Sequence, residues 1–400
     1  MDINNRSFGG EGFLQTTYDV DQCNNGAGIT TPDGFADPSL CENPDLPPTP
    51  AAQERVQSSG VLVQPGIRGQ FLDEFIIGAE YEIFDDTKIG IAYENRRQGS
   101  VIEDASIDGS ATFILSNPGE FSESEERQLQ ERIDNLEEGS EERLRLENQL
   151  EQFQGLRIFD PPVRNWNALK LTLNKRYSKN FLVQGSYQYG RSTGNYQGLF
   201  SSNNGQVDPN ITSQYDLIEL LANRLGSLPQ DSPHQFKLDG FYTFDLESLG
   251  QITAGASIRG ASGTPISAFG RHSFYGVNES FLISRGSIGR TPFILDADMQ
   301  VTYAKNLSRG IRAEFFFELF NILGLDFLRG QQIAAVSQAY TFSAANPIVG
   351  GDEQDLIFLK EVELNTGREL GTPVTRNSNF GNSTARFVPP FSRVGVRVSF

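Results

Sequence analysis

The sequence predicts an all-β, antiparallel fold, and three observations carry the prediction. Segments of strand length alternate apolar and polar side chains, and tight turns alternate with long connections between them. The composition, with Gly 40, Phe 30 and Tyr 12 against one Trp and two Met, favours strands and turns over helices. The 400 residues fit either one large barrel or two domains.

Residues 1–66 are dense in turn formers, as in "TPDGFADPSLCENPDLPPTP", and predict a long surface loop. Cys23 and Cys41 bracket part of it. A disulfide between them is the expectation, because a segment without a core gains most from a covalent clip, and it would imply an oxidising compartment. Within the loop "EGFLQTTYDV" makes a poor strand, since Gln15, Thr16 and Thr17 break its apolar face.

The pattern changes at about residue 67. "IRGQFLDEFIIGAEYEI" sets Phe71, Phe75, Ile77, Ala79, Tyr81 and Ile83 on one parity, interrupted by Asp73, over a length that spans a bilayer when tilted. "FDDT" turns the chain, and Ile89, Ile91 and Tyr93 then oppose Lys88, Glu94 and Arg96 on the returning strand. Three more hairpins follow: "WNALKLTLNKRYS" with "FLVQGSYQYGRS", "HQFKLDGFYTFD" with "GQITAGASIRG", and "FILDADMQVTYAKN" with "GIRAEFFFELFN". Their turns are "KN", "LESL" and "LSR". Long connections over about 105–163, 194–233, 263–291 and 323–388 lie between the hairpins. Loops of that length are unusual in compact soluble domains, whereas transmembrane barrels carry short periplasmic turns on one rim and long extracellular loops on the other. One connection, about 120–154, predicts two short helices broken near Gly139, with Leu129, Ile133 and Leu136, then Leu144, Leu146 and Leu150, at helical spacing.

The strand faces point to a transmembrane barrel. Charged residues at strand centres (Lys170, Lys237, Asp239, Asp296, Asp298, Glu314 and Glu318, joined by Arg393 and Arg397 on the last strand) suit a hydrated lumen. Aromatics near strand ends (Trp166, Tyr177, Tyr189, Tyr242, Phe244, Phe293 and Tyr303) are expected on the lipid side at headgroup level. The chain closes on "RVGVRVSF", where Val394, Val396, Val398 and Phe400 share one face. An alternating strand ending on Phe is similar to the terminal signal read by the barrel-insertion machinery of Gram-negative bacteria. Such a strand must pair with another, because hydrocarbon satisfies no backbone group. About nine strands are counted, and bacterial barrels have even numbers; the expectation is therefore a partial barrel, the C-terminal part of a longer polypeptide.

Several functions are excluded or disfavoured. A net charge of −18 without a Lys/Arg cluster argues against nucleic acid, and no apolar run of helical membrane-spanning length occurs. His234 and His272 have neither nucleophile nor ligand spacing around them, so no catalysis, zinc or cofactor is expected. Asp296 and Asp298 are read as partners of cations on neighbouring strands rather than an acid–base pair. The loop acids Asp33, Asp37, Asp352 and Asp355 are candidates for loose calcium binding, although "DVDQCNNG" fails as a calcium loop because Cys23 stands where an oxygen ligand belongs. Tyr and Asn in "STGNYQGLFSSNNGQ" suit either ligand binding or turn formation.

"ELFNILG", the closing "NFGNSTARFVPPFSRVGVRVSF", "GIAYENRRQGSVIEDA" and the series "GNYQGL…DPN…LPQDSPHQFK" together resemble TonB-dependent outer-membrane receptors, specifically their Oar-like subgroup. The resemblance covers residues 66–400, corresponding to the last nine of the roughly 22 strands of such barrels. It implies a transporter barrel plugged by an N-terminal domain and energised through the TonB complex, seated in outer-membrane lipid and binding an extracellular ligand with its loops. The alternative is a structural or adhesive outer-membrane barrel displaying acidic loops.

Overall fold

The computed structural model describes residues 13–18, 50–56, 62–203, 206, 209, 212–272, 275–307, 310–323, 325–326, 330–363 and 367–400. Its contacts divide the chain into two units, one of residues 1–63 with 113–115, the other of the remainder.

In the first unit Phe13–Tyr18 pairs antiparallel with Pro50–Val56, and Leu62–Val63 pairs parallel with Ile114–Leu115. Strand structure therefore occurs within the stretch expected to be loop. The Phe13–Tyr18 pair does not belong to the main sheet.

The second unit is built on long strands: β1 (Leu72–Phe84), β2 (Thr87–Gln98), β3 (Arg164–Ser178), β4 (Phe181–Gly194), β5 (His234–Asp245), β6 (Gln251–Ala261), β7 (Ile294–Asn306), β8 (Arg312–Phe320) and β9 (Phe391–Ser399). Each pairs antiparallel with its neighbour in chain order, from β1 at one edge to β9 at the other. The tight turns are supported by residues that tolerate positive φ: Asp86 at 63°, and Lys179 and Asn180 at 48° and 67°, the two-residue geometry that matches strand twist. The first strand begins at Leu72 rather than 67, because the chain before it is held elsewhere; the Arg68 N–H donates to Asn117 Oδ1 at 2.7 Å.

Register fixes two faces across the whole sheet. Ile77, Tyr93, Leu169 and Tyr189 form one continuous row, and Ala313 with Val398, Phe315 with Val396, and Phe317 with Val394 form others on that same side. These apolar side chains are exposed: Ile77 by 61%, Tyr81 by 72% and Val396 by 67%. A water-soluble protein does not leave so large a contiguous apolar surface uncovered. From Tyr189 to Phe181, β4 runs about 27 Å, or about 20 Å along the membrane normal at the usual tilt, close to the height of a barrel's apolar band.

The buried core lies in the long connections instead. Ala268, Leu282, Ile283, Tyr340, Ala345, Leu356, Leu359 and Phe380 form one cluster drawn from the third and fourth connections. Helices α1 (Glu123–Asp134) and α2 (Glu141–Gly155) occupy the first, capped by Ser122 and Ser140. Leu129 and Ile133 of α1 are buried, and α2 buries Leu146, Leu150 and Phe153; Leu144, read from spacing as part of the stripe, is exposed because the stripe runs 146, 150, 153.

Candidate functional site: the ionic face and the loop layer

The face opposite the apolar one carries the charges. At its β7–β9 end, Arg393 Nε lies 2.5 Å from Glu318 Oε2 and Arg397 Nη1 lies 3.4 Å from Glu314 Oε2, each across a directly registered pair. Gln300 donates to Glu318 at 3.0 Å, and Arg312 reaches Glu314 at 2.9 Å, so both carboxylates are shared. In the middle, Arg259 Nη2 binds Asp239 Oδ1 at 2.7 Å, with Lys237 directly across from Arg259 on β5 and Asp296 across from it on β7. Among the described residues neither β7 acid forms an ion pair: Arg259 is engaged by Asp239, while Asp298 Oδ1 accepts the Asn321 N–H at 2.8 Å. Lys170, opposite Gln188 and Ala92, has no ion pair among the described residues. Arg259 was missed in the sequence although its parity in "GQITAGASIRG" places it on this face.

Two aromatics expected toward lipid stand on the ionic face. Trp166 is registered with Arg96 and Ser192, and the Arg96 guanidinium lies 4.8 Å from its ring centroid. Tyr177 follows a register shift after Lys175, which moves it to the side where its ring stacks on Phe241 at 5.7 Å. Tyr189, Tyr242 and Tyr303 keep the apolar side, in register with Leu169, Ala254 and Ile252. Val394, Val396 and Val398 keep it as well, and Phe400 is 98% exposed. His234 packs there, its Nδ1 2.7 Å from the Tyr187 hydroxyl.

The loop layer is tied down by buried polar side chains of the quoted motifs. Asp231, from "LPQDSPHQFK", is a node: its Oδ1 accepts the Ser192 N–H at 2.5 Å, Arg191 Nε lies 3.2 Å from Oδ2, and Arg290 binds the same oxygen. Arg290 also donates to the carbonyls of Asp231 at 2.7 Å and Gly263 at 3.1 Å, which joins β4 to the segments before β5, after β6 and before β7. Tyr196 of "GNYQGL" is 1% exposed and donates to Glu103 Oε1 at 3.1 Å, while the Thr212 N–H binds Glu103 Oε2 at 3.0 Å. Burial pushes the Glu103 carboxyl up to about 8 and raises the Tyr196 hydroxyl too. Asn195 accepts from Val163 N at 2.6 Å and donates to Pro161 O at 3.0 Å, so the motif's Asn and Tyr shape the loop internally.

Further in, Ser213 donates to Glu279 at 2.7 Å, and Arg224 and Arg285 both lie against the Phe281 ring, at 5.5 and 4.5 Å. Burial lowers both guanidinium groups, Arg285 to about 9. His272 stands 3.6 Å from Glu219 and is lowered by burial. No periodicity marks these residues in the sequence. The acids considered for calcium have another task at one end: Asp352 and Asp355 cap the turn Glu353–Phe358 reciprocally. Cys23, Cys41, Asp33 and Asp37 lie outside the described residues.

Residues 3–256 match a family described as an outer membrane beta barrel domain. The TonB-dependent transporter Oar of Myxococcus xanthus is 35% identical over 347 residues, which are 85% of this chain and 29% of that protein. Among solved structures, the match to the closed form of the ferric-catecholate import receptor Fiu from E. coli K12 covers 71% of this chain and 28% of that one, at 13% identity and a TM-score of 0.36.

Proposed function

The chain belongs to the outer membrane beta barrel domain family, and from that premise we propose that it forms the C-terminal part of the barrel wall of a TonB-dependent transporter, with its long connections as external ligand-binding loops. It is a protein of the Gram-negative outer membrane and, like the transporters it is similar to, not an enzyme. The chain spans 29% of the length of its curated relative, so a plug and a contact with the TonB complex would be contributed by other parts of such a transporter.

The reading rests on one observation: a sheet with an exposed apolar face and an ion-paired face, whose connections hold the core. Lipid covers the first face, a hydrated lumen meets Lys170, Lys237, Asp239, Asp296, Asp298, Glu314, Glu318, Arg393 and Arg397, and the tight turns face the periplasm. Val394, Val396, Val398 and Phe400 serve as the insertion signal. Single cysteines test the orientation in intact cells, in a background with Cys23 and Cys41 replaced by serine. A maleimide too bulky to cross the outer membrane should label a cysteine at Val349, which is 80% exposed in the last long connection, and spare one at Asp86. Labelling at Asp86 alone would reverse the orientation and remove the loops from the ligand side.

A further inference from the structure

The apolar face changes character one step beyond Tyr93 and Leu169. The next registered row is Phe75, Asn95, Asn167 and Arg191, and the row after it Asp73, Arg97, Asn165 and Thr193. Among these, Phe75, Tyr93, Asn95, Arg97, Asn165 and Asn167 line an open notch of ≈ 440 Å³. It lies on the lipid side of β1–β3, at the long-connection end, where headgroups meet the aromatic belt of a barrel.

The notch presents donors. The Tyr93 hydroxyl donates to Asn167 Oδ1 at 3.0 Å and the Asn95 amide donates to the same oxygen at 2.7 Å. With its carbonyl held from two sides, Asn167 has its NH2 left to donate outward, and the side chain of Asn165 beside it has no hydrogen bond among the described residues. Of the two arginines at this level, Arg191 is ion-paired with Asp231 at 3.2 Å. Arg97, directly across from Asp73 in register, forms no ion pair among the described residues. An exposed guanidinium flanked by amide donors, with an aromatic ring on its lipid side, matches the needs of a phosphate group that enters on an acyl-chained molecule.

We propose that this notch binds the phosphorylated headgroup of an outer-leaflet lipid, with the Arg97 guanidinium and the Asn165 and Asn167 amides on the phosphate and Phe75 against the first part of the acyl region. The proposal rests on the lipid-facing reading of the apolar side given above. It does not depend on any substrate of the transporter.

The intact protein, purified in detergent, is exchanged into lipid A at graded concentrations, and bound lipid is counted by native mass spectrometry. Wild type should retain lipid A and lose it at least fivefold more readily once the lipid is dephosphorylated. Arg97→Gln and Asn167→Leu should each weaken retention at least fivefold, while Arg97→Lys, which keeps the charge, recovers most of it. Equal retention by Arg97→Gln, or by Asn167→Leu with an unchanged urea midpoint, would overturn the site. So would full competition by millimolar inorganic phosphate, which has no acyl chain and would assign the notch to a soluble anion. Retention in detergent tests the notch whichever rim faces outward, whereas its assignment to the outer leaflet rests on the external long connections tested by labelling at Val349, so failure of one is distinguishable from failure of the other.

Discussion

Removing the Asp231 carboxylate should loosen the base of the loop layer. Its side chain is fully buried between Arg191 and Arg290, whose side chains are 44% and 27% exposed. Asp231→Ala leaves both guanidinium groups without their anion and the Ser192 N–H without its acceptor. Losing one partner of a fully buried pair costs about 3–5 kcal/mol. Both arginines can recover some water, which places the expected loss at the lower end, about 3 kcal/mol, or about 150-fold in the folding equilibrium. Asp231→Asn keeps an oxygen for Ser192 but not the charge, and should cost about 1–2 kcal/mol. Urea titration of the refolded protein in detergent reads both as shifts of midpoint at constant slope. Hydrogen exchange at the Ser192 amide should accelerate in Asp231→Ala and much less in Asp231→Asn. A midpoint for Asp231→Ala within about 0.5 kcal/mol of wild type, or an Asn variant as damaged as the Ala one, would refute the node.

Three further outcomes are expected. The folded Glu103 carboxyl, at about 8, lies above its ordinary 4.5, so its protonated form favours the folded loops: stability is fullest below pH 4.5 and declines as pH rises to about 8. The slope is at most about 1.4 kcal/mol per pH unit, and a pH series of urea midpoints should show that Glu103→Gln lacks the decline; parallel profiles would remove Glu103 from the account. Gly263→Ala would set a Cβ 1.7 Å from the Thr291 carbonyl oxygen, whereas Gly69→Ala meets nothing within 4 Å. The first should lose upward of about 2 kcal/mol and the second about none, measured by the same titration; equal midpoints would contradict the packing at β6's exit. Deleting Phe400 should reduce the amount of intact protein in the outer membrane while synthesis continues, and unchanged membrane levels on immunoblots would count against its role in insertion.

The strands were legible because lipid on one side and charge on the other impose period two, as in the Ile89, Ile91, Tyr93 row of β2. Turns were legible where residues such as Lys179 and Asn180 must take positive φ. Tyr177 shows the limit: one extra residue near the end of β3 reverses its face, and nothing in "NKRYS" marks the shift. Trp166 was misplaced by its size, although its parity with Ala168 and Lys170 already assigned it to the ionic face. The loop layer was least legible, since its contacts join distant segments without periodicity: Glu103 with Tyr196, Ser213 with Glu279, Asp231 with Arg290. Glu103, Tyr196 and Asp231 were visible only as unexplained members of quoted motifs, and Ser213, Glu279 and Arg290 lie in none of them. The ionic face was half legible, because a residue's side follows from parity but its partner follows from register, as with Arg259 choosing Asp239 over Asp296.

The most direct measurement is nitroxide scanning of β8 and β9 in the intact protein in outer-membrane lipid, with oxygen as the lipid-soluble quencher and a nickel chelate as the aqueous one. Labels at Ala313, Phe315, Phe317, Val394, Val396 and Val398 should respond to oxygen, and labels at Glu314, Phe316, Arg393 and Arg397 to nickel, in strict alternation. Accessibility that fails to alternate, or that gives nickel to the valines and oxygen to the arginines, would contradict the two-faced wall.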